Sequence, residues 1–161
     1  MLSRRSLTGA ALAALPIALS AQPATAAGDL SRQQPIEVVV DLGAPGHHAF
    51  HPNKLTFETG KLYKLVLRNP SKDPHYFTSH SFSQMIWTRK VQVVHAIGGK
   101  PVTLAEFKGA IREVEVYPGF SAEWWFVPVA TGRVTDLQCG IRGKDGKTHA
   151  DHGMVGEIVI Q

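Results

Sequence analysis

Cysteine is nearly absent from this chain, with a single one, Cys139, among 161 residues. No intrachain disulfide can form, and a lone thiol in an oxidising compartment is exposed to oxidation or intermolecular pairing unless it is buried or bound to a metal. Charge of one sign is lacking too: 17 Lys and Arg stand against 13 Asp and Glu, a formal net charge of +4. The basic residues, among them Lys54, Arg68, Lys90, Lys108 and Lys144, are scattered, which excludes the dense footprint that nucleic-acid binding requires. G-x-S-x-G, H-E-x-x-H and P-loop strings are missing, and the paired acids Glu113 and Glu115 fall on one face of a strand with no pocket implied. Hydrolase and nucleotide chemistry therefore have no obvious carrier.

Long hydrophobic runs are missing as well, except for a short one at the start. Arg4 and Arg5 are followed by a weakly apolar stretch through Ala10, Leu12, Leu15, Ile17 and Leu19, and then by Ala24-Thr25-Ala26. The stretch is too short and alanine-rich to span a bilayer, and the pattern predicts a twin-arginine signal peptide over residues 1–26, cleaved near Ala26 or Ala27. The mature protein is then periplasmic, with no stable membrane insertion. Residues 27–35 read as a flexible lead-in and 36–161 as one domain, large enough to bury a core without cross-links.

Within that domain, short runs of branched and aromatic residues recur between Gly- and Pro-containing turns, an all-β pattern. Strands are expected at 36–42, 54–58, 62–68, 91–94, 111–117, 121–127, 133–139 and 155–160. Alternation supports them: Tyr63, Leu65 and Leu67 share one side, Lys64, Val66 and Arg68 the other. Two sheets packed face to face close such a set, in a Greek-key β-sandwich. Phe82 to Trp87 and Val102 to Phe107 do not alternate cleanly and are left as a short helix or an irregular excursion.

Chemistry concentrates near the C-terminus. Period-two geometry puts Cys139 on the same side as Leu137 at a strand end, and a glycine-rich loop leads on to His149 and Met154 before the last strand. Thiolate, imidazole and thioether are the donor types of a blue-copper site, with a second histidine required from elsewhere. A buried structural thiol is the plainer alternative, and methionine is often mere core filling.

The string His149-Ala150-Asp151-His152-Gly153-Met154, entering the last strand, resembles the C-terminal end of the cupredoxins, the plastocyanin, azurin and pseudoazurin family of small copper proteins. Leu65-Val66-Leu67-Arg68-Asn69, followed by Pro74-His75, is similar to that family's approach to its first histidine. The resemblance covers most of the mature chain. It implies a cupredoxin-like sandwich holding one copper ion, with His75, Cys139 and His149 as equatorial donors and Met154 as a weak axial one. It implies one-electron transfer between redox partner proteins rather than an enzyme. Docking is expected over the exposed edge of His149, with Phe77, Phe82 and Trp87 keeping water from the metal.

Nine residues separate Cys139 from His149, a longer loop than the family carries. Lys144 to Thr148 reads as an insertion that bulges into solvent, or else opens the site toward a red-copper geometry. His152 then competes with His149, and His80 with His75. The cluster His47, His48, His51 reads as a separate solvated loop, or as an aid to a copper delivery or buffering role, the alternative function. His95 has no evident partner. A Cys139–His149 nucleophile pair would leave His75 and Met154 unexplained.

Overall fold

Strand β1 (Ile36–Ala44) runs parallel to β4 (Tyr63–Arg68), and β4 pairs antiparallel with β9 (Ser121–Pro128). The computed structural model describes residues 32–44 and 46–161; the expected signal peptide and residues 27–31 of the lead-in lie outside the described residues. Along β4 the side chains of Tyr63, Leu65 and Leu67 are buried, while those between them are half-buried or exposed, as the alternation predicted.

The other strands are β2 (His47–His51), β3 (Lys54–Phe57), β5 (His75–Thr78), β6 (Ile86–Ile97), β7 (Lys100–Phe107), β8 (Glu113–Val116), β10 (Gly132–Gln138) and β11 (Val155–Ile160). They form two sheets, ordered β2-β1-β4-β9-β6-β7 and β3-β11-β10-β5-β8. The chain crosses repeatedly from one sheet to the other, so β1 meets β4 and β3 meets β11 in parallel. This is the expected β-sandwich. Between the sheets, Phe57, Phe82, Trp124 and Phe126 meet edge to face with ring centroids 5.1–5.6 Å apart in three pairs, Phe57–Phe126, Phe82–Phe126 and Phe82–Trp124.

Three strands went unforeseen. β2 is mostly histidine, β5 is four residues long, and β7 lies at a sheet edge and pairs only with β6. None carries a long apolar face, so the pattern that marks a strand is weak there. The uncommitted segment after Thr78 divides into α1 (His80–Met85) and the start of β6. Ser79 caps the helix, accepting from the Phe82 amide, while Asp136 on β10 accepts from the Ser79 hydroxyl and the Ser81 amide.

Candidate metal centre

At the end of β4 the chain reaches Asn69, almost fully buried. Its Nδ2 donates to the carbonyls of Asp73 and Val116, at 2.8 and 2.7 Å. That fixes Oδ1 as the acceptor for the Ser71 amide and hydroxyl, at 3.0 and 2.7 Å. One side chain thus ties the loop before β5 to strand β8.

The loop positions His75 at the start of β5, fully buried. Its Nε2 lies 2.9 Å from Ser71 Oγ. That hydroxyl accepts from the Asp73 amide at 3.3 Å and faces the Asn69 side-chain and Asp73 backbone carbonyls, which only accept, so the single Ser71 proton goes to one of those two. Ser71 Oγ must therefore accept from Nε2–H of His75. The tautomer follows: Nδ1 carries a lone pair, free to bind a metal. Gly43 in β1 makes room for this ring, since a Cβ there would run into Nε2 of His75, and the Gly43 φ of +77° suits glycine in any case.

Cys139 follows β10 directly and is fully buried, as is Leu137. Its amide donates to the Met154 carbonyl at 3.1 Å, and its carbonyl accepts from Ala150 at 2.9 Å. These bonds fasten the turn from His149 to Met154 beside the thiol. The long loop closes on itself, through a bridge between Arg142 and Thr148, a bond from the Gly143 amide to the Lys147 carbonyl, and one from the His149 amide to the Ile141 carbonyl. Its extra length projects without parting the residues at its base.

Three of the expected donors converge. Nδ1 of His75 and Nδ1 of His149 are 3.1 Å apart, and Cys139 Sγ lies 3.5 Å from the latter and 3.9 Å from the former. A planar trigonal set with bonds of about 2.0 Å to nitrogen and 2.3 Å to sulfur, the lengths zinc takes, would space its donors by about 3.5 to 3.7 Å. The triangle agrees to within about 0.4 Å on that scale. Its donor types fit one copper ion. Met154, the fourth expected donor, is fully buried and adjoins Cys139 through its backbone.

Electrostatics agree with metal readiness. Burial, with the neighbouring His149 and His48 imidazoles, pushes His75 down to about 4, so it is neutral at pH 7. Burial lowers His149 as well. The Cys139 thiol is raised by burial, partly offset by the Tyr76 amide that donates to Sγ at 3.3 Å.

Several expectations require correction. His48 does not sit in a separate solvated loop: its ring stacks on His149 with centroids 3.8 Å apart and planes 18° from parallel. Donor atoms of His48, His75 and His149 all lie within 4.8 Å of one another. The signal for this lies in parity, because His48 shares a strand face with the buried Phe50. His149 is 3% exposed, with the His48 ring over its face. Phe82 packs in the aromatic core with Phe57, Trp124 and Phe126, and Trp87 is exposed; of the expected apolar shield, Phe77 is buried against Phe50. His80 is exposed at the start of α1, and His152 is turned to Asp145, with Nε2 to Oδ2 at 2.8 Å. His95 meets the ring of Phe120.

No protein-family model matches the chain, and no curated protein sequence matches it. Among solved structures, a multicopper oxidase from Campylobacter jejuni is similar with a TM-score of 0.54 at 16% identity over 80% of this chain, which spans 30% of the oxidase's length. Auracyanin from Roseiflexus castenholzii overlaps at a TM-score of 0.46 and 15% identity, covering 78% of this chain and 96% of that one. Auracyanin A from Chloroflexus aurantiacus, a "blue" copper protein, does so at 0.46 and 14%, covering 80% and 100%. At such identities the likeness concerns architecture. The fold is a cupredoxin-like β-sandwich.

Proposed function

We propose that this chain is an exported type 1 copper protein that carries single electrons between redox partner proteins in the periplasm, with His75, Cys139, His149 and Met154 as the residues that would hold the ion. The observation that carries this reading is the convergence of Cys139 Sγ with two imidazole Nδ1 atoms. Bound copper supplies one-electron exchange between Cu(I) and Cu(II).

The protein's part is to hold donors that need little rearrangement. Ser71 fixes the His75 tautomer from outside, the Tyr76 amide supports the sulfur as it becomes a thiolate, and burial of Cys139, His75 and His149 excludes water. Because the free thiol is raised, loading releases its proton and affinity rises with pH. Export rests on Arg4, Arg5 and the apolar stretch behind them. Among the described residues no helix is long and apolar enough to cross a membrane.

A second reading, copper delivery or buffering, is favoured by one feature: a groove beside the centre lined by His47, His48, His51 and His152. Redox cycling separates the two. A carrier keeps its copper through oxidation and reduction, whereas a delivery protein releases Cu(I) to a competing acceptor.

The decisive measurement is the optical and paramagnetic-resonance spectrum of copper-loaded protein with Cys139→Ala beside it. Intense visible thiolate-to-copper absorption, lost in the variant together with most of the affinity, is expected. Absence of that band in the parent, with affinity unchanged in the variant, removes the assignment.

A further inference from the structure

The side chain whose nitrogen the sandwich leaves unsatisfied lies at this same centre. Nδ1 of His48 is buried without a hydrogen-bond partner, alone in this among side-chain nitrogen and oxygen atoms of the described residues. Leaving such a group unpaired costs about 1–3 kcal/mol, so an orphan of this kind calls for an explanation. Here one lies close by, because the donor atoms of His48, His75 and His149 form a single group.

Resting on the copper reading above, we infer that His48 is itself a metal donor, so that the centre presents three imidazoles and one thiolate beside the Met154 thioether and thereby favours oxidised copper. Cys139 Sγ closes the triangle with His75 and His149, and His48 approaches by stacking on the face of His149. Two parallel rings do not both aim their in-plane lone pairs at one ion, so bonding requires the His48 ring to tilt out of the stack. Its position permits that. β2 is an edge strand paired only with β1, His48 is one residue from its start, and a glycine turn at Gly46 precedes it.

The chemical consequence follows from donor type. Imidazole suits Cu(II), whereas the soft thiolate and thioether select Cu(I). A third nitrogen therefore lowers the reduction potential and makes the thiolate share the ion with one more strong donor. His47 and His51 are exposed on the same strand and fall outside the group of His48, His75 and His149.

The test compares copper-loaded full-length protein with His48→Phe, His48→Leu and, as a control, His51→Gln. Pulsed paramagnetic resonance counts the coordinated imidazoles, and a redox titration gives the potential. Phenylalanine keeps a ring on His149 but offers no nitrogen, so it separates bonding from stacking. The expected result is three imidazoles in the parent and in His51→Gln, two in both His48 variants, a higher potential in those two, and a Cu(II) affinity lower by at least about tenfold. Two imidazoles in the parent overturn the proposal, as does a His48→Phe protein whose imidazole count and potential match the parent's. Failure of the function itself reads differently: the visible thiolate band is then missing from the parent, whatever the nitrogen count.

Discussion

His75 is held from a distance, through Ser71 and Asn69 to the carbonyl of Val116 on another strand, whereas His149 is held by the backbone of its own turn and by the face of His48. Both present Nδ1 to the same point. The first arrangement exists only once β4, β5 and β8 are assembled, because its hydrogen bonds span 47 residues of sequence. The second is local: the bonds that place His149 join Cys139, Ile141, Ala150 and Met154. One imidazole is therefore placed through the sheets, and the other by the backbone of its loop with a β2 ring against its face. Damage to either should be separable.

The largest expected effect separates them by acidity. Metal-free protein should lose stability as pH falls from about 6.5, where an unfolded histidine takes up its proton, to about 4, where folded His75 finally does. A group whose folded pKa is depressed contributes fully above the unfolded value and loses its contribution on acidification, here up to about 3 kcal/mol. Urea midpoints across this range check it. His75→Gln should flatten the profile more than His149→Gln, and equal flattening would contradict the contrast drawn above.

Next in size is Ser71→Ala, which removes the acceptor that sets the His75 tautomer. Copper affinity should fall about 10- to 100-fold, while metal-free stability drops by only about 1 kcal/mol. Competition with a chelator of known affinity measures the first and denaturant titration the second. An unchanged affinity would mean that the ring is fixed by packing alone.

The smallest effect belongs to the outer part of the long loop. Asp145→Ala breaks an exposed contact with His152 and a bond to the Lys147 amide, and should change stability by no more than about 0.5 kcal/mol with no change in copper affinity. A shift in affinity would show that the tip of this loop bears on His149 after all.

The sequence pattern made the fold legible wherever a strand has a full apolar face. Tyr63, Leu65 and Leu67 on β4 and Ala122, Trp124 and Phe126 on β9 declare their sides by alternation, because burial on one face leaves only one workable register. β2 offered Phe50 as its sole buried side chain, and β7 had one neighbouring strand, so neither had a core to impose a pattern. At the centre, Cys139 could be placed inward from its parity with Leu137, and His75 from Asn69 and Pro74 before it. Three histidines within five residues read as a loop by composition, although strand parity divides them: His48 turns inward with Phe50, while His47 and His51 are exposed. The aromatic residues were misplaced because hydrophobicity predicts that Phe82 is buried but not which part of the core receives it, and Trp87 occupies an exposed position on β6.

The closed base of the Arg142–Thr148 hairpin has a consequence for how such a centre can change over evolution. With Gly143 bonded to Lys147, Ile141 to His149 and Cys139 to Ala150, the separation of the sulfur and the second imidazole is decoupled from the number of residues strung between them. Segment length here is a free variable: the tip can lengthen, shorten or be recast as a recognition arm while the donor triangle keeps its dimensions.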